Sequence, residues 1–506
     1  MEAGGGKMAR YKHTEAEDGQ GMFLTVNLKE QLLPGSFEHM LDELIGGKID
    51  VSIFDSNYRN DKTGATAIPP AALIKLIIYG YSKGKNSSRG LWELGKTNII
   101  AKALTGDMEP HWTTIADFIT HNGERFKEVF VKALAYCAEL DLVGRQTFAT
   151  DGLRLPSNTS LDMTGTAEEL EKRLKLYRRM AENHIKKHQR RDATGETGKE
   201  TERHFYEQQE RLNRKIENLS GFLETMEKKE SRRGKEIKSN VTDNESAMIH
   251  TAKGYIQGYI GMAVSDQKEQ IIVYANAVGS ANESEHFPRM LDETLGNIKE
   301  YVVKTSQNTK PTFLCDKNYF SEENLKACAE HGVDVIMPDS QYKRRLGRNR
   351  YMVEDFIFNE KENSYECPAG KKLEFKRIGK IKKVEGRIYR GAIKDCGQCL
   401  LRNKCMGKKK SPPKNLLPRT LFIQKADEKP LCQAMRKKNN TVESQDLYAY
   451  RMQIIEPVFA NIVCCKGLDR FTLRGAVKVN GQWQLYCIVH NLGKCLKAYN
   501  RARGYG

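Results

Sequence analysis

The run Thr147-Phe148-Ala149-Thr150-Asp151-Gly152 and its distant counterpart Thr312-Phe313-Leu314-Cys315-Asp316 decide how this chain folds. Each is a short apolar stretch that ends in an aspartate, the pattern of a buried strand delivering an acid to the rim of a sheet. Between them period-two alternation returns: Ile256, Ile260, Met262 and Val264 share one strand face, Gln257 and Tyr259 the other. A second strand is expected over Ile271 to Val278, joined to the first by a hairpin connection from Ser265-Asp266 to Gln270. An amphipathic helix over Glu285 to Val303, a helix over Ser321 to Glu330 and a strand over Val333 to Met337 complete the pattern.

The order is therefore strand, insertion, strand, strand, helix, strand, helix, strand. It predicts an α/β fold with an RNase H-like, mixed-sheet catalytic core. In such a sheet the first strand and the one after the first helix lie side by side and parallel, so Asp151 and Asp316 emerge together at strand C-termini, where open α/β sheets place their ligand sites. Either aspartate alone reads as a turn former.

Working outward, residues 1–22 are Gly-rich and charged and read as a mobile tail. Residues 23–140 read as an all-helical N-terminal domain. Pro69-Pro70 suits a helix start before the apolar run Ala71 to Tyr81, and Thr113-Thr114 is the expected N-cap of the helix carrying Ile115 and Phe118. Basic turns at Lys83, Lys85 and Ser87-Ser88-Arg89 are compatible with a DNA-contacting helix-turn-helix. The core is expected in two pieces, 141–165 and 236–340, interrupted by an insertion at 166–235. There Leu170, Leu174 and Tyr177 form one seam and Leu212, Ile216, Leu219 and Leu223 another, predicting an antiparallel coiled-coil hairpin, either a solvated spacer or a clamp or dimerisation arm. Residues 341–440 read as a basic Cys-rich insertion, and 441–506 as the C-terminal part of the core.

The last segment supplies a third acid. Helical spacing over Asp446 to Val463 lets Glu456 point away from Ile454 and Ile455 toward the site, and Pro457 implies a break or kink there. Three converging acids suit phosphodiester chemistry. A phosphodiester repels its nucleophile, and two Mg²⁺ ions roughly 3.5–4 Å apart can activate that nucleophile and stabilise the leaving oxygen. Hard cations take oxygen ligands, and they relieve the repulsion among clustered carboxylates.

In the insertion, Cys367, Cys396, Cys399 and Cys405 offer four thiolates, enough for a tetrahedral structural Zn²⁺. An iron–sulfur cluster uses the same ligands, and ordinary buried thiols are the plainer reading. Lys394, Arg402, Lys404 and Lys408-Lys409-Lys410 are interleaved. Cys464-Cys465 and His490 read as structural, and Thr242-Asp243-Asn244 as a turn.

Across 506 residues, 83 Lys and Arg against 65 Asp and Glu give a net charge of +18, which points to a polyanionic partner. No run of about 18 apolar residues occurs, which argues against a membrane span. The N-terminal sequence MEAGGGKMARYKH lacks a secretory apolar stretch. The expected location is the bacterial cytoplasm, in association with the nucleoid, with the 12 cysteines reduced or metal-bound.

From about residue 23 to residue 500 the chain resembles the DDE transposases of bacterial insertion sequences, in particular insertion-sequence family eleven-eighty-two. Tyr79-Gly80-Tyr81, Ser87-Ser88-Arg89 and Thr113-Thr114-Ile115-Ala116-Asp117-Phe118 look like that family's N-terminal domain. Asp151-Gly152 resembles its first acidic motif, Asp316-Lys317-Asn318-Tyr319-Phe320-Ser321 its second, and Arg451-Met452 through Glu456-Pro457-Val458-Phe459 its third. Tyr448 and Arg451 match, approximately, the Tyr and Arg that precede the family's third acid, whereas Val463 stands where a base is usual and Leu153 where a small hydroxyl residue is common. The resemblance implies catalysis by Asp151, Asp316 and Glu456 with Mg²⁺ or Mn²⁺, recognition of terminal inverted repeats, strand transfer into target DNA, and at least a homodimer for pairing two ends. Two other readings compete: an RNase H-like nuclease without strand transfer, and a transposase-derived DNA-binding protein without catalysis.

Overall fold

The computed structural model describes residues 25–58, 66–194, 199–231, 234–302, 310–342, 351–381, 384–406, 417–424 and 430–505. The expected tail over 1–22 and the Lys408-Lys409-Lys410 run lie outside the described residues. The fold is mixed α/β around a mixed sheet. Its strands are β1 (Thr147–Pro156), β2 (Ala247–Thr251), β3 (Gly254–Asp266), β4 (Ile272–Val278), β5 (Thr312–Leu314) and β6 (Asp334–Ile336). They lie in the order β2-β3-β1-β5-β6, with β4 pairing further along β3. β1 runs antiparallel to β3 but parallel to β5, and β5 is parallel to β6.

One strand differs from expectation in length. β1 does not stop at Asp151 but continues to Pro156, because β3 pairs with it from Phe148 to Pro156. Only its parallel side ends early, at Ala149. The alternation of β3 does not mark a half-solvated strand either, since every residue from Gln257 to Asp266 is buried. Both faces of the sheet centre are covered, as in sheets flanked by helices.

Among the described residues six α-helices precede the sheet: α1 (Phe37–Leu44), α2 (Pro70–Ser82), α3 (Ser88–Thr97), α4 (Ile99–Thr105), α5 (Trp112–His121) and α6 (Phe126–Glu139). Pro70 opens α2 as its spacing suggests, but α5 begins earlier than expected, capped by the His111 ring rather than by a threonine hydroxyl. After β1, α7 (Ala167–Ala193) and α8 (Lys199–Thr225) form a hairpin. Leu170 and Leu219 are buried at its base with Met163, while Leu176, Met180 and Ile185 are exposed further out. Near the far end the His184 ring stacks on Phe205 at 4.6 Å.

α9 (Phe287–Asn297) follows β4, and α10 (Glu322–Glu330), capped by Ser321, joins β5 to β6. The Cys-rich segment is a second sheet, all antiparallel, of β7 (Ile357–Asn359), β8 (Ser364–Glu366), β9 (Lys372–Ile381), β10 (Val384–Gly391) and β11 (Thr420–Gln424). Phe356, Leu373, Tyr389, Leu421 and Ile423 form its own small core. The short helices α11 (Ile393–Gly397) and α12 (Arg402–Met406) lie between its last two strands. The chain then returns through α13 (Pro430–Lys438), α14 (Val442–Ala449) and α15 (Arg451–Ala460) to α16 (Ala476–Arg503).

α16 is the central post of the molecule. Fifteen of its residues are buried, and it touches α1, α2, α5, α6 and β4. Trp483 donates its indole N–H to Met262 O at 3.0 Å, and its ring lies where a Cβ on Gly261 would stand 2.9 Å away, so that position needs glycine. The Asn491 side chain bridges the Ile272 backbone, accepting from its N–H and donating to its carbonyl, both at 2.9 Å. Toward the first helices, Tyr486 stacks on Tyr81 at 4.5 Å. One apolar core consequently runs from Leu32 to Tyr499. Among the described residues no helix is long and apolar enough to cross a membrane.

Candidate active site

Strand register brings the two aspartates together. Ala149 and Leu314 are the last paired residues of parallel β1 and β5. Asp151 and Asp316 each lie two residues beyond that pair, so strand periodicity directs them to the same face. Cys315 N–H donates to Ile336 O at 3.0 Å, which prolongs the β5 direction to the edge of Asp316. The backbone then turns at Lys317–Tyr319, with Tyr319 N–H donating to Asp316 O.

Asp151 is held from two sides. Its Oδ1 accepts from Gly152 N–H at 2.8 Å, and its Oδ2 lies 2.8 Å from Arg451 Nη2. Arg451 also donates to Thr150 O at 3.1 Å, which pins α15 to β1. Burial pushes the Asp151 carboxyl above the usual carboxylate range; Arg451 and the Gly152 amide oppose this, and the Asp316 charge adds to it.

A carboxylate that the sequence reading passed over completes the cluster. Glu283, only 3 % exposed, precedes α9 in a short turn capped by Asn282. Its Oε1 accepts from Asn318 Nδ2 at 3.0 Å and pairs with Arg154 Nη2 at 3.3 Å, and the Tyr319 hydroxyl stands 3.5 Å from its Oε2. Burial raises its affinity for a proton; Asn318 counters this, while Asp151 and, less strongly, Asp316 add to it. A Cβ on Gly152 would stand 2.3 Å from Glu283 Oε2 and 2.5 Å from Ile260 Cγ2, which gives the Asp-Gly pair a steric reason. The sequence signal for Glu283 was faint because Asn282-Glu283 reads as an ordinary helix-start turn.

Glu456 is placed differently. It is exposed on α15, five residues beyond Arg451 and therefore about 140° around the helix from it. Ile454, Ile455 and Val458 fill the buried side of that helix. Among the described residues no hydrogen bond or ion pair joins Glu456 to either aspartate. The expected break at Glu456 is not formed, since α15 runs through Pro457 to Ala460. Proline leaves the Gln453 carbonyl without its helical donor, and Gln270 Nε2 satisfies that carbonyl at 2.9 Å. Tyr448 is half-buried, edge-on to Tyr342 at 5.5 Å, and within electrostatic range of Arg451 and Asp316.

Asp151, Asp316 and Glu283 thus face Arg451 and Arg154. The two aspartates offer hard oxygens and the charge of the cluster is incompletely balanced, which fits a divalent cation of the Mg²⁺ type. Among the described residues no three His, Cys, Asp or Glu side chains stand in a formed metal shell.

Cys367, Cys396, Cys399 and Cys405 line one cavity of about 30 Å³ beneath the second sheet. Burial raises the Cys405 thiol, and the other three cysteines add to the effect, so each of the three lies within electrostatic reach of Cys405. Backbone amides point at two of the sulfurs: Lys371 N–H to Cys367 Sγ at 3.4 Å and Arg419 N–H to Cys396 Sγ at 3.5 Å. Cys464 and Cys465 are exposed. His490 is buried between Asn461 and the Gln270 carbonyl, and burial drops its pKa to about 4, consistent with a packed neutral ring. Asp243 proves more than a turn residue: buried, it accepts the Tyr259 hydroxyl at 2.8 Å and the Gly475 N–H at the start of α16.

A mixed sheet carrying paired aspartates beside a helix-borne arginine defines a class of candidate metal-assisted phosphoryl-transfer enzymes. Residues 366–496 match the family described as Transposase DDE domain, and residues 26–121 match the family described as Transposase domain (DUF772). The chain is a DDE transposase of the insertion-sequence type, an enzyme of DNA transposition that acts on DNA and depends on divalent metal. Glu456, Arg451 and the four cysteines fall inside the first match, whereas Asp151 and Asp316 lie between the two matched segments. Comparison with curated proteins returns no match.

Proposed function

We propose that the sheet is an RNase H-like core whose Asp151, Asp316 and Glu456 hold Mg²⁺ or Mn²⁺ for cleavage at element ends and strand transfer into target DNA. The equivalent placement of Asp151 and Asp316 on neighbouring parallel strands carries this reading. When bound, the cation supplies Lewis-acid stabilisation of the attacking and leaving oxygens. The chain's own residues do the rest. Asp151 and Asp316 orient the scissile phosphate's surroundings, Arg451 holds Asp151 in place until the charge is matched, and Tyr448 closes the apolar side. Glu456 rides on the same helix as Arg451 but about 140° around it, so its part in the acid set requires α15 to reorient substantially against β1. The specific family eleven-eighty-two, terminal inverted repeats as the recognised DNA, the segment 23–140 as the end-binding part and a homodimer or larger synaptic complex all belong to the same reading.

Purified full chain, flanked-end DNA and Mg²⁺ provide the test. Cleavage followed by joining is expected, with loss of both in Asp151→Asn, Asp316→Asn and Glu456→Gln while DNA affinity stays intact. Cleavage without joining favours a nuclease, and binding with no cutting favours a DNA-binding derivative. Normal cutting by Glu456→Gln removes it from the acid set.

We also propose that the four-cysteine cavity holds a structural Zn²⁺. Four soft ligands around one small space and N–H groups aimed at two sulfurs support this, since such donors stabilise thiolates.

A further inference from the structure

We propose that Glu283 is a positioning residue for DNA cleavage: its carboxylate holds the turn after Asp316, through Asn318, against the middle of β1 at Gly152 and Arg154. The inference rests on the reading of Asp151 and Asp316 as the cation-binding pair. β5 is only three residues long, and its ladder with β1 ends at Leu314. Backbone pairing to β1 therefore stops two residues before Asp316, and something else must fix that aspartate relative to Asp151. Glu283 is placed to do so. One oxygen receives Asn318, two residues beyond Asp316, and Arg154, three residues beyond Asp151. The other oxygen packs over Gly152, so close that a side chain there would have to displace it. Asn324 anchors the same turn from the helix side, donating to Tyr319 O at 2.8 Å and to Ser284 Oγ at 3.0 Å. The turn that carries Glu283 and the turn that carries Asp316 are thus tied twice, and Glu283 joins both to β1 through Arg154 and Gly152.

Glu283 is not assigned as a cation ligand, because Asn318 and Arg154 already occupy Oε1 and Gly152 covers Oε2. A group that aligns a ligand acts on cation affinity as well as on rate, and loss of such a partner typically costs about 10- to 100-fold in either.

The test measures Mn²⁺ binding to the full chain by electron paramagnetic resonance of the free ion, alongside end cleavage and thermal melting. Asn318 is exposed, so Asn318→Ala is expected to fold normally, and Glu283→Gln keeps the side-chain shape. Each is expected to weaken Mn²⁺ binding about 10- to 100-fold. The double variant should be no worse than the weaker single variant by more than about 3-fold, since both act through one contact. Unchanged Mn²⁺ affinity in both, with Asp151→Asn abolishing it, overturns the proposal while leaving the aspartate pair standing. Complete loss in Glu283→Gln with none in Asn318→Ala makes Glu283 a direct ligand and also overturns it. Undiminished Mn²⁺ binding by Asp151→Asn removes the aspartate reading itself, and the positioning role with it.

Discussion

Arg451 Nη2 lies 2.8 Å from Asp151 Oδ2, with the arginine side chain 7 % exposed and the aspartate 26 %. A cation arriving at Asp151 competes with that guanidinium. Removing one partner of a buried pair costs about 3–5 kcal/mol, and solvent access to Asp151 reduces this to roughly 2 kcal/mol. Arg451→Gln is therefore expected to melt earlier without metal, yet to gain more stability from saturating Mg²⁺ than the wild type gains. Thermal melts with and without Mg²⁺ check this; equal gains in the two proteins would show that the pair does not oppose the cation.

Gly152→Ala is expected to destabilise the protein by about 1–3 kcal/mol, the usual cost of overpacking a filled site. The added methyl meets Glu283 Oε2 and Ile260 Cγ2 at once, and β3 prevents the strand from stepping aside. Denaturant unfolding measures it. A neutral result would mean that the Glu283 turn yields freely.

Cys399→Ser is expected to abolish stoichiometric zinc and lower the melting temperature, and a strong chelator should destabilise the wild type but not the variant. Cys464→Ser, at an exposed position, should change neither. Elemental analysis with paired melts decides the matter, and a wild type free of zinc and indifferent to chelator refutes the metal site.

His490 provides a pH signature. Its ring is buried and its pKa falls to about 4, so between pH 4 and the ordinary histidine range near 6.5 the unfolded chain binds a proton that the folded chain does not. Stability from this group is complete above about 6.5 and drains as pH falls, with a slope approaching 1.4 kcal/mol per unit, on the order of one proton. Denaturant unfolding at pH 5 and pH 7 should show a smaller difference in His490→Gln. An identical difference would mean that the histidine stays accessible to protons in the fold.

The parts of the fold that announced themselves were those whose periodicity is set by burial. The Thr312 strand, the Ser321-capped helix and the Leu170 and Leu219 seam all formed where spacing placed them. Asp151 and Asp316 were readable because a parallel neighbour imposes register on both. β1 was underestimated because Asp151-Gly152 reads as a turn and the Leu153-Arg154-Leu155 alternation beyond it is short, so that pairing with β3 is what makes these residues a strand. Pro457 misled for a related reason: the missing helical donor was replaced by Gln270, remote in sequence and invisible to local rules. Glu283 escaped notice because its importance lies wholly in partners from two other segments, Arg154 on β1 and Asn318 and Tyr319 in the turn after Asp316.

The burial of α16 between the first helices and the sheet has a consequence during synthesis. Every residue up to Arg503 must leave the ribosome before either half can shelter its interior, because both wait for the same segment. A product stopped before Ala476 would leave the apolar surfaces of the first helices and of the sheet without the helix that covers both.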